Sequence, residues 1–506
     1  MLTFSALVLA GSVFAPAHAL PEAPVTQLMV QPSQFHAAHA RELGPAAMAP
    51  FDDAAGVSLT HVRSLGMRTQ VLRLPWPMRP AEARAYAARL VERGVALAAE
   101  PDLRVFRSLV PNDPGYVSQW HYQAVSSSNY GINLPPAWDA TTGSSSVVVA
   151  LIDSGLRPHA DIDQNITDAS GRALPGYDFI SDVPTANDGD ARDSDPSDPG
   201  DWVSATESST TGGDFEGCVV EDSSWHGTHL GGTLAALSNN GIGVAAIDWN
   251  ARLLPVRVLG KCGGLQSDVI DGMRWAAGLA VPDAPQNTTP ARVLNMSFNG
   301  SGACGSALQA AINDVRANKA MVVVAAGNEN SNADNYFPGN CSGVINVTAT
   351  TRQGQRAFYS NYGNAVSIAA PGGDSSDPIL STSNDGTTLP GNDIYAGLIG
   401  TSMATAHVSG VVSLMLSENA ALTPDDVLAI LRDTATAFPS ASGCTTSTCG
   451  AGIVNAETAV LTASGYVPST TDGSGSDGGG GALGLLPLAG LVGLALLRRR
   501  YLSPTR

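Results

Sequence analysis

From residue 147 onward the chain repeats one device: a short apolar run, then a stretch with helical spacing. Residues 147–152, 253–258, 293–298, 321–326, 344–349 and 365–369 read as strands. Residues 227–237, 267–279, 307–317, 402–418 and 424–433 read as helices. A strand loses its polar alternation when both of its faces are covered. The order therefore predicts an α/β domain around a mostly parallel sheet. In such sheets chemistry gathers at the carboxyl edge of the strands.

The front of the chain follows another pattern. Residues 24–31, 68–74 and 95–106 read as strands, 52–64 as a helix, and 80–93 as a second helix opened by proline. This β-α-β, β-α-β order fits a small ferredoxin-like α+β unit.

Both ends read as addresses. An apolar run over residues 2–14 leads to Ala17-His18-Ala19, a small-x-small triplet expected to be cut by signal peptidase before Leu20. At the other end a Gly/Ser-rich linker (466–481) leads into a hydrophobic tail (482–506) with Arg498-Arg499-Arg500 near its end. This layout resembles the GlyGly-CTERM sorting tails of Gram-negative bacteria. The resemblance implies a transient inner-membrane anchor as a transmembrane helix, cutting by a rhomboid-type protease, and release at the cell surface.

Composition narrows the task. Hydrophobic residues make up 43% of the 506, enough for a large core. The net charge of -18 excludes a nucleic-acid backbone as the main partner. The acidity is uneven. Residues 20–107 hold ten Arg against eight acids, whereas 108–470 hold eleven Arg and the chain's two lysines, Lys261 and Lys319, against thirty-five. All six cysteines also fall in that acidic segment.

Four polar motifs sit at element edges. Asp153 ends a buried strand in Asp153-Ser154-Gly155, and His226 opens a small-residue helix in His226-Gly227-Thr228-His229. Ala325-Ala326-Gly327 closes another strand just before Asn328. Ser402 stands at a helix start in Gly400-Thr401-Ser402-Met403-Ala404, where free N–H groups favour developing negative charge. Singly, each has an ordinary explanation: a turn aspartate, a structural histidine, an Asx-turn, an N-cap serine. Together, in the order Asp, His, Ser, they match the signatures of subtilisin-like serine proteases. The chain resembles that family over about residues 111–465.

That resemblance implies a subtilisin-like three-layer fold. It makes the front unit (20–111) an inhibitory propeptide, removed by the enzyme itself near residues 107–112, ahead of a catalytic domain (112–465). It implies Ser402 as nucleophile, His226 as general base, Asp153 as the group fixing the imidazole tautomer, and Asn328 as oxyanion donor. Ser297 and Asn299 resemble the strand that pairs with substrate, and Ala325 and Gly327 the opposite wall of the S1 pocket. Asn299 stands where the family usually has Gly, Ala406 where it has Pro, and Tyr336 is expected near the pocket floor. The implied product is a secreted monomer without a catalytic cofactor, cutting extended segments of extracellular proteins with broad specificity. A catalytically silent binding protein on the same fold is the alternative from another class, and four intact motifs argue against it.

Two expectations remain. Six cysteines allow fifteen pairings; joining neighbours gives Cys218–Cys262, Cys304–Cys341 and Cys444–Cys449. The Gly/Pro-rich insertion between Asp153 and His226 carries Asp188, Asp190, Asp193, Asp195 and Asp198, followed by Asp201. Such carboxylates suit a structural Ca²⁺, and a solvated acidic loop is the competing reading.

Overall fold

The computed structural model describes residues 25–33, 45–65, 69–102, 109–163, 165 and 171–467. The expected signal peptide, the sorting tail and, at the propeptide junction, Arg107 and Ser108 lie outside these residues. Among the described residues no helix is long and apolar enough to cross a membrane.

The front unit runs β1 (Val25–Pro32), α1 (Pro45–Ala55), β2 (Thr60–Ser64), β3 (Gln70–Met78), α2 (Pro80–Glu92) and β4 (Ala96–Pro101). Its strands lie in the order β2-β3-β1-β4, each neighbouring pair antiparallel, which is the ferredoxin-like arrangement. Leu28, Val30, Phe51, Leu72 and Leu90 close a core of its own. The helix expected over 52–64 ends at Ala55 instead. Gly56 takes φ +76°, and Asp52 Oδ1 accepts the Leu59 N–H at 2.7 Å, which turns the chain into β2.

The larger part holds α3 (Leu134–Ala140), β5 (Val148–Asp153), β6 (Tyr177–Asp178), α4 (His226–Ala235), β7 (Arg252–Arg257), α5 (Gln266–Ala276) and β8 (Val293–Met296). It continues with α6 (Ser306–Ala317), β9 (Met321–Ala325), β10 (Ile345–Thr350), β11 (Ile368–Pro371), β12 (Ile379–Asn384) and β13 (Asp393–Leu398). It ends with α7 (Thr401–Glu418), α8 (Pro424–Asp433) and α9 (Ala456–Gly465). Seven strands form one parallel sheet in the order β11-β10-β9-β8-β5-β7-β6.

Strand geometry sorts its side chains into two cores. Val149 and Leu151 of β5 and Val323 of β9 face one way, against α4 and α7. Ala150, Ile152, Val322 and Val324 face the other, against α5 and α6. Helix, sheet and helix make the three expected layers. The antiparallel β12–β13 hairpin stands outside the main sheet.

The three cysteine pairs are the expected ones, with Cα atoms 5.8, 5.2 and 5.4 Å apart in chain order. Residue Lys261, beside Cys262, is only 4% exposed. Its ammonium pairs with Glu207 and lies 4.4 Å from the Trp202 ring centre and 5.0 Å from that of Phe215.

Candidate active site

Asp153 is the last residue of β5 and is fully buried. Its Oδ1 lies 2.7 Å from His226 Nδ1 and accepts the Ser154 N–H at 2.8 Å. Oδ2 has no hydrogen-bond partner among the described residues. His226 is the first residue of α4. The chain reaches it through Trp225, which is left-handed at φ 50° and 2% exposed, with its indole N–H on the Gly386 carbonyl at 2.7 Å. Gly227 lets α4 approach β5, since a Cβ there would lie 2.0 Å from the Gly155 carbonyl oxygen. Burial works against a charged imidazole, but the Asp153 charge and hydrogen bond outweigh it. Asp201 and Asp198 add to them, and the His226 pKa is held above its usual value.

Ser402 is the second residue of α7. Its Oγ donates to the Ser297 carbonyl at 2.9 Å, and Ser297 Oγ donates to the Ser402 carbonyl at 3.1 Å. Ser297, expected only along the substrate strand, thus also fixes the serine. Among the described residues no hydrogen bond joins Ser402 to His226. Such bonds are often loose in an unliganded site and tighten when substrate binds.

Asn328 follows β9 and is exposed. Its Oδ1 accepts the Thr401 N–H at 2.9 Å and the Thr401 hydroxyl at 3.0 Å. With the oxygen engaged, the amide N–H₂ is the end left to donate. Sequence reading did not single out Thr401. Its signal was local: a hydroxyl directly before the serine, at the same helix start.

The wall residues meet at Gly327, whose φ is +107°. A Cβ there would fall 2.4 Å from Asn361 Nδ2 and 2.5 Å from both Asn299 Nδ2 and Glu329 Oε2. Asn299 Nδ2 reaches both Glu329 oxygens at 3.2 Å. Asn299 and Glu329 therefore bridge this wall, and Glu329 brings a carboxylate that sequence reading missed. Ala325, the last residue of β9, is 2% exposed and packs in the core. Tyr336 pairs its backbone with Ser301 in a two-residue ribbon. A cavity of about 350 Å³ opens beside Phe298, lined also by Leu259, Cys262, Gln266, Val269 and Phe337.

The five aspartates expected to bind calcium do not converge. Asp188 is paired at 2.6 Å with buried Arg257, which also pairs with Asp178. Asp193 and Asp195 each cap a backbone N–H two residues on, at 2.7 and 3.0 Å, and Asp190 is exposed. Asp198 is 1% exposed and accepts the Ser154 hydroxyl at 2.8 Å. Burial, then repulsion from Asp201, pushes its pKa up to about 7. No group of three or more His, Cys, Asp or Glu among the described residues is placed to hold a metal ion. The Arg257 guanidinium thus takes Asp188, and Asp193 and Asp195 each give one oxygen to a backbone N–H.

Sheet order, edge position and partner residues together define the subtilase class. The chain belongs to the subtilase family, whose model matches residues 144–465. It is 45% identical over 408 residues to an extracellular protease of Xanthomonas campestris pv. campestris, a match covering 80% of this chain and 66% of that protein. It is 40% identical over 412 residues to an extracellular basic protease of Dichelobacter nodosus, covering 80% and 65%. The match thus spans just under two-thirds of the length of each of these relatives. A solved structure of a protease from Pseudoalteromonas arctica PAMC 21717 is 50% identical, with TM-score 0.63, and covers 70% of this chain and 100% of that one.

Proposed function

We propose that the chain is a secreted serine endopeptidase, made as a self-processing zymogen, that hydrolyses extracellular proteins with broad specificity through Asp153, His226 and Ser402. Ser402 Oγ attacks the peptide carbonyl while His226 Nε2 takes its proton. Asp153 holds Nδ1–H and stabilises the imidazolium. The Asn328 amide and the Ser402 N–H receive the oxyanion. His226 then protonates the leaving amine, and water releases the acyl group from Ser402. Subtilases need no catalytic cofactor for these steps.

The observation that carries this reading is the 2.7 Å contact between buried Asp153 and His226 Nδ1. Secretion is supported by relatives named as extracellular and by three disulfides, which persist in oxidising compartments. The propeptide role of the front unit is supported by its separate core. Signal peptidase and a rhomboid-type sorting protease are the expected processing partners.

The test compares wild type with Ser402→Ala for precursor cleavage and fluorophosphonate labelling. Wild type should label and mature, and the variant should do neither. A wild type that does not label removes the hydrolase reading. An Ala variant that still matures removes self-processing.

A further inference from the structure

The acidic insertion packs onto the end of β5 that carries Asp153. Gly155 leaves room for it, since a Cβ there would lie 2.6 Å from the Pro196 carbonyl oxygen. Arg157 Nη1 donates to the Asp198 carbonyl at 3.2 Å, and Asn187 Nδ2 to the Gly200 carbonyl at 2.8 Å, so the loop is tied at both sides.

Two of its carboxylates end one serine away from the reacting pair. Asp198 Oδ2 accepts the Ser154 hydroxyl at 2.8 Å, and Ser154 Oγ in turn accepts the Gly227 N–H at 3.1 Å. Ser154 is also the residue whose own N–H holds Asp153 Oδ1. Asp201 grips Ser224 twice, taking its N–H and its hydroxyl at 2.6 Å each. Ser224 Oγ accepts the His226 N–H at 3.2 Å. The two routes meet the two halves of the pair: one clamps the strand end carrying Asp153 to the second residue of α4, and the other sets the first.

We propose that Asp198 and Asp201 are positioning residues for the Asp153–His226 pair, acting through the hydroxyls of Ser154 and Ser224. The inference rests on the hydrolase reading above. It gives the insertion a role other than metal binding: two carboxylates fix the approach of α4 to β5.

Their charge also reaches the imidazole. His226 faces Asp153 from β5, Asp201 and Asp198 from the insertion, and His229 from its own helix. His229 is buried and kept neutral by desolvation, with its pKa lowered to about 3. Arg257 faces Asp198, and Glu221 faces Asp201. Removing the Asp201 carboxylate withdraws negative charge from His226. That makes the imidazolium less stable and moves the acid limb of the rate profile to lower pH. Asp198, whose pKa is pushed up to about 7, is largely protonated over the acid limb, and its removal withdraws less.

The test uses the full chain matured by its own processing, with a peptide substrate followed from pH 5 to 10. Asp198→Asn and Asp201→Asn should each lower kcat on the order of tenfold with KM little changed, because small misplacements cost rate more than binding. Asp201→Asn should also move the acid limb of kcat/KM down by roughly a few tenths of a pH unit, and Asp198→Asn by less, because Asp198 is largely protonated there. Ser154→Ala should reproduce the kcat loss without moving the limb, since it removes no charge, and Ser154→Thr should restore rate. Unchanged kcat in both Asn variants overturns the proposal. So does a kcat loss with an unmoved limb in both, which is what a merely structural loop would give. If Asp198→Asn fails to fold, Asp201→Asn decides alone, because its carboxylate lies at the open edge of the loop. Fluorophosphonate labelling separates the two levels: an unlabelled wild type overturns the hydrolase reading and this inference together, whereas a labelled wild type with unmoved variants overturns this inference only.

Discussion

Replacing Cys218 and Cys262 by serine should cost stability that rises with the logarithm of the length of the loop they close. The two residues are 44 apart in sequence. Closing a loop of that length removes about 4 kcal/mol of chain entropy from the unfolded state. Cys444 and Cys449 are only 5 apart, and the same relation gives about 2 kcal/mol. An unfolding entropy of about 2.1 cal/mol/K per residue, over a unit of roughly 350 residues, makes these losses about 5 and 3 °C in Tm. The assay is calorimetry on the Ser402→Ala precursor, so that self-digestion cannot shorten the transition. The Cys444/Cys449 pair is the internal control. Equal shifts for both double variants, or a shift below about 1 °C for Cys218/Cys262, would refute the loop-length argument. The longer bridge also pins Cys262 at the cavity beside Phe298, so its removal should raise KM for substrates that fill that cavity.

Four further outcomes are expected. Asn328→Ala should lower kcat by about 10²–10³ with KM near wild type, a range carried over from a subtilisin rather than worked from this chain. Thr401→Val should cost only about fivefold, since one of two hydrogen bonds orienting the Asn328 amide survives. His226 acts as a base only when neutral and its pKa is raised, so kcat/KM should fall as pH drops through a value above 6.5, read from a pH–rate profile. Arg257→Met strands the buried Asp178 carboxylate and should cost about 3–5 kcal/mol in urea melts. Burial already raises the Asp178 pKa to about 7, so a proton relieves the site below that value. The penalty should therefore be larger at pH 8 than at pH 5.

Strands and helices of the larger unit were legible because burial on both faces leaves apolar runs that polar loops interrupt. The end of α8 at Asp433 and the proline start of α2 follow directly from composition. The β12–β13 hairpin was not legible: Ile379–Asn384 is mostly Ser, Thr and Asn, and its polar groups are buried by pairing rather than by hydrophobicity. Helix α9 was readable but overlooked; Ala456, Ala459, Val460 and Ala463 follow helical spacing, and Asn455 caps it. At the site, local motifs located the chemistry, yet the partners that orient it are far apart in sequence. Nothing near Asp198 announces that it meets Ser154, and an acidic loop looks alike whether a cation or a buried arginine balances it.

Lys261 in its aromatic cage has a consequence for handling the protein. The chain has two lysines, and this one is sealed by Glu207, Trp202 and Phe215. The other, Lys319, is exposed just after α6, ahead of the first residue of β9. The candidate site lies past the opposite end of that strand, about 16 Å away along its five residues. Amine-reactive coupling therefore has one exposed side chain to find, on the side of the sheet away from the cleft. Molecules bound to a support through Lys319 would present the cleft outward, with the chain's α-amino group as the competing point of attachment.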